Sequence, residues 1–151
     1  MTVVPAPTTL SVIVGLLGGP SVMPQPIRTD LDLMYAAAAG VSVQAVRNLQ
    51  RHMRFTNKDM SEVLSISEST LTRREQTQKP LSRDEAEKVI QLAAVVAKGL
   101  AVFENEVDFH RWLQFENQAL GGVRPQELLS SALGREQVRE ILGRIQWGIF
   151  S

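Results

Sequence analysis

From Asp30 onward, apolar residues recur at spacings of three and four. No stretch sustains the apolar–polar alternation of a half-buried strand. The run from Asp30 to Ala39 ends in four alanines closed by Gly40, and from Ser42 to Met53 the positions Val43, Val46, Leu49 and Met53 share one helical face. Met60, Val63 and Leu64 form the inner face of the next segment, and Glu68 to Gln76 form a short one after Ser65-Ile66-Ser67. The longest stripe comprises Ala86, Val89, Ile90, Ala93, Val96, Ala97 and Leu100. It predicts a helix that runs through the protein and joins its two halves. Phe109, Trp112 and Leu113 mark a further helix, and Val138, Ile141, Leu142 and Ile145 mark a last one beginning near Arg135. The expected fold class is therefore all-α.

Boundary signals agree with this pattern. Thr56-x-x-Asp59 and Ser82-x-x-Glu85 have the form of capping boxes, in which hydroxyl and carboxylate satisfy orphan backbone N–H groups reciprocally. Ser67 is placed to cap the short helix. Lys79-Pro80 and Gly121-Gly122 interrupt the chain, and Pro125 stands at an expected first helical position.

The first 27 residues carry no charge and hold five of the seven prolines. Leu10 to Leu17 form an apolar run ended by Gly18-Gly19-Pro20. No Lys or Arg precedes it, as a secretory leader would require, and it is far short of the ~20 residues that span a bilayer. The reading is an arm or short helix that docks its apolar side on its own chain or on a second copy.

Charge changes the picture more than composition does. Lys+Arg and Asp+Glu balance at 16 each, yet residues 47–83 carry eight basic and four acidic side chains. A basic centre in a neutral chain points toward a phosphate-bearing partner. Cysteine is absent and there are only two histidines, His52 and His110. That excludes thiol nucleophiles, disulfides and cysteine–zinc sites. No metal site, catalytic residue or cofactor is expected, and His110 reads as a surface helix residue.

The segment Asn57 to Arg74 reads as helix, tight turn, helix in about twenty residues, the layout of a helix-turn-helix. Met60, Leu64, Ile66 and Leu71 would lock the two helices, and the small Ser61 would sit where they touch. Ser69, Thr70, Thr72 and Arg73 on the second helix are the types that read base edges in a major groove. Arg74 and Lys79, with Arg47, Arg51 and Arg54, would anchor phosphates. The turn position, often glycine, is Ser65, where a left-handed backbone costs energy. Proteins of this kind usually act as dimers, and the apolar N-terminal run and the long Ala/Val stripe are the candidate dimer surfaces.

The other end is unusual for its apolarity. Trp147, Ile149 and Phe150 precede the terminal Ser151, where a polar, fraying end is the norm. Such an end belongs either in the chain's own core or in a partner's cleft, as an aromatic anchor.

One stretch resembles a known family. Asn117-Gln118-Ala119-Leu120-Gly121-Gly122-Val123-Arg124-Pro125-Gln126-Glu127-Leu128-Leu129, followed by Gly134-Arg135-Glu136-Gln137-Val138 and Leu142-Gly143-Arg144-Ile145 before Gly148, resembles the C-terminal domain of RES–Xre (MbcA/ParS/Xre) antitoxins. Leu64 to Arg74 resembles the Xre-like helix-turn-helix half of the same family, and Leu17-Gly18-Gly19-Pro20 is similar to the way such antitoxins begin. The resemblance covers roughly residues 15–150. It implies an N-terminal arm (1–27), an Xre-like helix-turn-helix domain (28–98) and a toxin-binding domain (99–151). It further implies a cytoplasmic, non-enzymatic homodimer whose partners are operator DNA and a RES-domain toxin that consumes NAD. On that reading Trp147, Ile149, Phe150 and Ser151 reach toward the toxin's cleft, and Ser69, Thr70, Thr72, Arg73, Arg74 and Lys79 meet the operator. The alternative is a stand-alone helix-turn-helix regulator whose C-terminal half serves dimerisation or ligand sensing.

Overall fold

A computed structural model describes residues 8–148. The described chain is helical: α1 (Thr9–Leu17), α2 (Asp30–Ala39), α3 (Gln44–Met53), α4 (Asn57–Leu64), α5 (Glu68–Thr77), α6 (Arg83–Phe103), α7 (Glu106–Gln114), α8 (Pro125–Leu128) and α9 (Ala132–Gln146). Single 3₁₀ turns follow α1 and α7.

The long stripe does what its periodicity predicts. Val89, Leu92, Ala93, Val95 and Val96 of α6 are fully buried, and α6 packs against α1, α2, α3, α4, α7 and α9. Both capping boxes form, Thr56 with Asp59 and Ser82 with Glu85. A third, Thr29 with Asp32, opens α2. The last helix starts three residues earlier than its apolar spacing indicates, because the Ser131 hydroxyl accepts from the Gly134 N–H and nucleates the turn before the stripe begins.

The N-terminal run docks on its own chain. Thr8 caps α1, and Ile13, Leu16 and Leu17 are buried against α3 and α6. The buried Asn48 amide donates to the Leu17 carbonyl at 3.0 Å, satisfying one of the orphan acceptors at the end of α1. Gly18 makes this possible: it has φ +123°, and a Cβ there would lie 2.3 Å from Asn48 Nδ2. The expectation that α1 or the α6 stripe offers a dimer surface is thereby overturned. Both apolar faces are consumed by the same core, since burying them internally removes more apolar surface from water than leaving them for a partner.

The two halves of the chain share that core. Phe109 of α7 lies against Gly99 of α6 and forms a three-ring cluster with Phe103 and Trp112, at ring-centroid distances of 6.1 and 6.3 Å from them and 5.7 Å between those two. Polar contacts tie the first half to the second. Gln126 donates to Asp59 at 3.2 Å, His52 meets Glu106 at 2.7 Å, and His110 Nδ1 lies 3.0 Å from the Met53 carbonyl. His110 is therefore half-buried, with its ring edge against Phe55. It is not the plain surface residue its polar sequence neighbours suggested, because α7 turns that side toward the end of α3.

Candidate nucleic-acid and toxin interfaces

The helix-turn-helix is built from its buried positions outward. Met60, Leu64, Ile66 and Leu71 are all buried and hold α4 against α5. Ser61 sits in the angle between the helices, and its hydroxyl donates to the Ile66 carbonyl at 2.6 Å. Only a small side chain permits that approach. Ser65 adopts φ 55°, ψ 41°, the left-handed conformation the tight turn demands. Ser67 then caps α5, its hydroxyl accepting from the Thr70 N–H at 3.1 Å.

This scaffold sorts the candidate DNA-contacting residues of α5 into two groups. Ser69, Thr72 and Arg73 lie exposed on the outer face of α5. Thr70 and Arg74 do not. Thr70 is half-buried, and its hydroxyl accepts from Ser67 Oγ at 2.7 Å. Arg74 points inward and pairs with Glu85 at the start of α6. Burial pushes the Glu85 carboxyl up, but hydrogen bonds from Arg74 and from the Ser82 backbone and hydroxyl outweigh it and hold the group below its ordinary value. A guanidinium so engaged stitches the α5–α6 junction. Gln76 completes the exposed row Ser69, Thr72, Arg73, Gln76. The sequence signal for Gln76 was available, since it stands seven positions beyond Ser69 on a helix of period 3.6.

The surrounding cations divide in the same way. Arg47 forms an ion pair with Glu75 at 2.6 Å and donates to Gln50 at 2.8 Å, and Arg51 donates to Asn48. Arg54, Lys58, Arg73 and Lys79 are exposed, and among the described residues none forms an ion pair. Lys58, at the start of α4, was not singled out in the sequence, because nothing in its spacing separates it from a solvated lysine.

The second half is organised by a loop and a buried charge. The Asn117 side chain accepts from the Ala119 N–H at 2.9 Å, and its backbone carbonyl accepts from Gly122 N–H at 2.9 Å, closing the Gly121-Gly122 turn. Arg135 is buried: Nε and Nη2 donate to Gln91 Oε1 at 3.0 and 2.9 Å, and Nη1 donates to the Leu129 carbonyl at 3.0 Å. Desolvation lowers its pKa. The guanidinium thus binds α9, α6 and the segment after α8 together. Sequence reasoning placed Arg135 only at a helix start, since arginine is rarely fully buried.

Trp147 follows α9 and is 78% exposed, so it does not fold back into the core. Ile149, Phe150 and Ser151 lie outside the described residues. Among the described residues no cluster of three or more His, Asp or Glu could hold a metal ion. Nor, among the described residues, is any helix long and apolar enough to cross a membrane.

A helix-turn-helix module sharing a core with a small helical module defines a class of two-part binding proteins. Comparison with known proteins narrows it. Residues 32–94 match the antitoxin Xre-like helix-turn-helix domain, and residues 98–148 match the antitoxin Xre/MbcA/ParS C-terminal toxin-binding domain. The chain belongs to the Xre/MbcA/ParS family of antitoxins. It is 28% identical over 132 residues to a "Prs ADP-ribosylating antitoxin" of Sphingobium sp. strain YBL2, covering 82% of this chain and 83% of that protein. It is 25% identical over 113 residues to an "Antitoxin Xre" of Photorhabdus laumondii, covering 74% and 76%. A third relative, an "Antitoxin Xre" of Pseudomonas putida, is 32% identical over 79 residues, about half of each chain.

Proposed function

We propose that this antitoxin neutralises a RES-domain, NAD-consuming toxin by placing its C-terminal end, Trp147 to Ser151, in the toxin's active-site cleft. We also propose that it represses its own operon through α5, as a cytoplasmic homodimer with no catalytic role. The observation that carries the first part is Trp147. A large aromatic left 78% exposed at the end of the domain matched as toxin-binding is the residue type that anchors tight interfaces. The carboxylate of Ser151 would then pair with a basic group that otherwise holds a substrate phosphate.

Repression is supported by the exposed row Ser69, Thr72, Arg73 and Gln76 and by the exposed Arg54, Lys58 and Lys79, none of which forms an ion pair among the described residues. Short polar side chains fit the groove, the Arg fork matches a guanine edge, and outlying cations neutralise phosphates. Binding of this kind weakens steeply with salt.

Two variants test the reading. Deletion of residues 147–151 leaves a folded protein that no longer prevents NAD loss when co-expressed with its toxin. Arg73→Ala weakens operator binding by about ten- to a hundredfold and leaves neutralisation intact. If the deletion still neutralises, or if Arg73→Ala abolishes both activities together, the division of labour proposed here is wrong.

A further inference from the structure

The two most exposed large apolar side chains among the described residues share one helix face. They are Leu133, 82% exposed in the first turn of α9, and Trp147, 78% exposed at its end. The Trp147 N–H still donates to the Gly143 carbonyl at 3.2 Å, so it continues the last turn. Leu133, Gln137, Glu140, Arg144 and Trp147 follow one another in steps of four and three, and all five are exposed. That spacing places them in a single row along the helix. A lone exposed leucine is ordinary. A row with an exposed apolar side chain at each end is the pattern of a helix that lies along a partner's surface.

The opposite side of α9 is fixed. Val138, Ile141 and Leu142 are buried in the core. A Cβ at Gly134 would fall 1.9 Å from the Leu128 carbonyl, so α9 presses directly on the segment after α8. Arg135, buried on Gln91 and the Leu129 carbonyl, clamps the same end. Leu133 is thereby held in place before any partner arrives, which reduces the entropy lost on binding.

We propose that this row is the seat of the toxin. Leu133 and Trp147 enter two apolar recesses of the toxin about 21 Å apart, the rise of fourteen helical residues. Between them Glu140 and Arg144 face toxin side chains of opposite charge. The whole row lies within residues 98–148, the part that matches the toxin-binding domain. It is continuous with Trp147, the anchor already assigned to the toxin. Glu140 and Arg144 stand at the i, i+4 spacing of a helix ion pair, yet none forms between them, which leaves both charges for a partner. The inference rests on the reading above for Trp147 and divides the work further. The face of α9 holds the toxin, and the residues beyond it block the cleft.

Calorimetric titration of the full chain with the purified toxin of its own operon tests this. Leu133→Glu should raise the dissociation constant about thirtyfold or more, as loss of a central anchor does. Arg144→Glu, which reverses a charge in the row, should raise it about tenfold. Val107→Glu, at a position 46% exposed on α7, should leave it within about twofold. Leu133 is exposed, and a carboxylate in the first turn favours a helix, so the circular dichroism of Leu133→Glu should match the wild type. A chain lacking residues 149–151 should still bind and no longer prevent NAD loss.

Undiminished binding by Leu133→Glu or by Arg144→Glu overturns the proposal, as does a Val107→Glu loss equal to that of Leu133→Glu. Weak binding by Leu133→Glu, beside a shortened chain that still prevents NAD loss, upholds the seat and refutes the blocking of the cleft. Full binding by Leu133→Glu, beside a shortened chain that fails to prevent NAD loss, refutes the seat and upholds the blocking.

Discussion

Replacing Gly99 by alanine isolates how the two halves are joined. A Cβ built at Gly99 falls 2.2, 2.4 and 2.5 Å from three ring carbons of Phe109, more than an ångström inside ordinary contact. Phe109 is 1% exposed and packs into a cluster with Phe103 and Trp112, so burial leaves its ring little room to swing. Overpacking a filled core costs about 1–3 kcal/mol, and a clash against an immobile ring belongs at the upper end. Alanine in place of glycine returns about 1 kcal/mol of helix propensity. The net destabilisation is therefore about 2 kcal/mol, or a Tm lowered by about 4–8 °C for a chain of this length. Thermal and urea unfolding measure it. The double variant Gly99→Ala/Phe109→Leu should recover more than 1 kcal/mol of the sum of the single losses, because the smaller side chain vacates the space the methyl needs. A Gly99→Ala protein as stable as wild type, or a double variant with strictly additive losses, would show that α6 and α7 do not cross this closely.

Two other substitutions probe the helix-turn-helix itself. Ser65 holds a left-handed backbone at φ 55°, which costs a residue with a Cβ about 1–2 kcal/mol, so Ser65→Gly should raise stability by about 0.5–1 kcal/mol after the entropy of the freer unfolded chain is subtracted; an unchanged urea midpoint would refute this. Glu85 titrates below its ordinary value of 4.5, so its contribution is present above that pH and disappears as pH falls through the lower, folded-state value. Glu85→Gln should accordingly flatten the acid limb of the stability–pH curve, and Arg74→Ala should do the same while leaving operator affinity within about twofold, in contrast to Arg73→Ala. A tenfold loss of operator binding by Arg74→Ala would contradict its assignment to the α5–α6 junction.

Local chemistry made much of this protein legible without coordinates. The capping pairs Thr56–Asp59 and Ser82–Glu85, the stripe from Ala86 to Leu100, and the buried set Met60, Leu64, Ile66 and Leu71 all follow from spacing and side-chain type, because helix starts and helix faces are decided within a few residues. What spacing cannot state is which other element covers a given face. Leu10 to Leu17 was suited to dock on its own chain or on a second copy, and Ile13, Leu16 and Leu17 lie in its own core, while α2, read only as an alanine-rich helix, keeps Leu31, Met34 and Tyr35 in solvent. Thr70 and Arg74 have the right chemistry for DNA but are engaged by Ser67 and by Glu85, the latter eleven residues away. Arg135 is buried because Gln91 and the Leu129 carbonyl happen to converge on it. Periodicity assigns residues to a common face, and the packing of distant segments alone determines whether that face meets water, a neighbour or a partner.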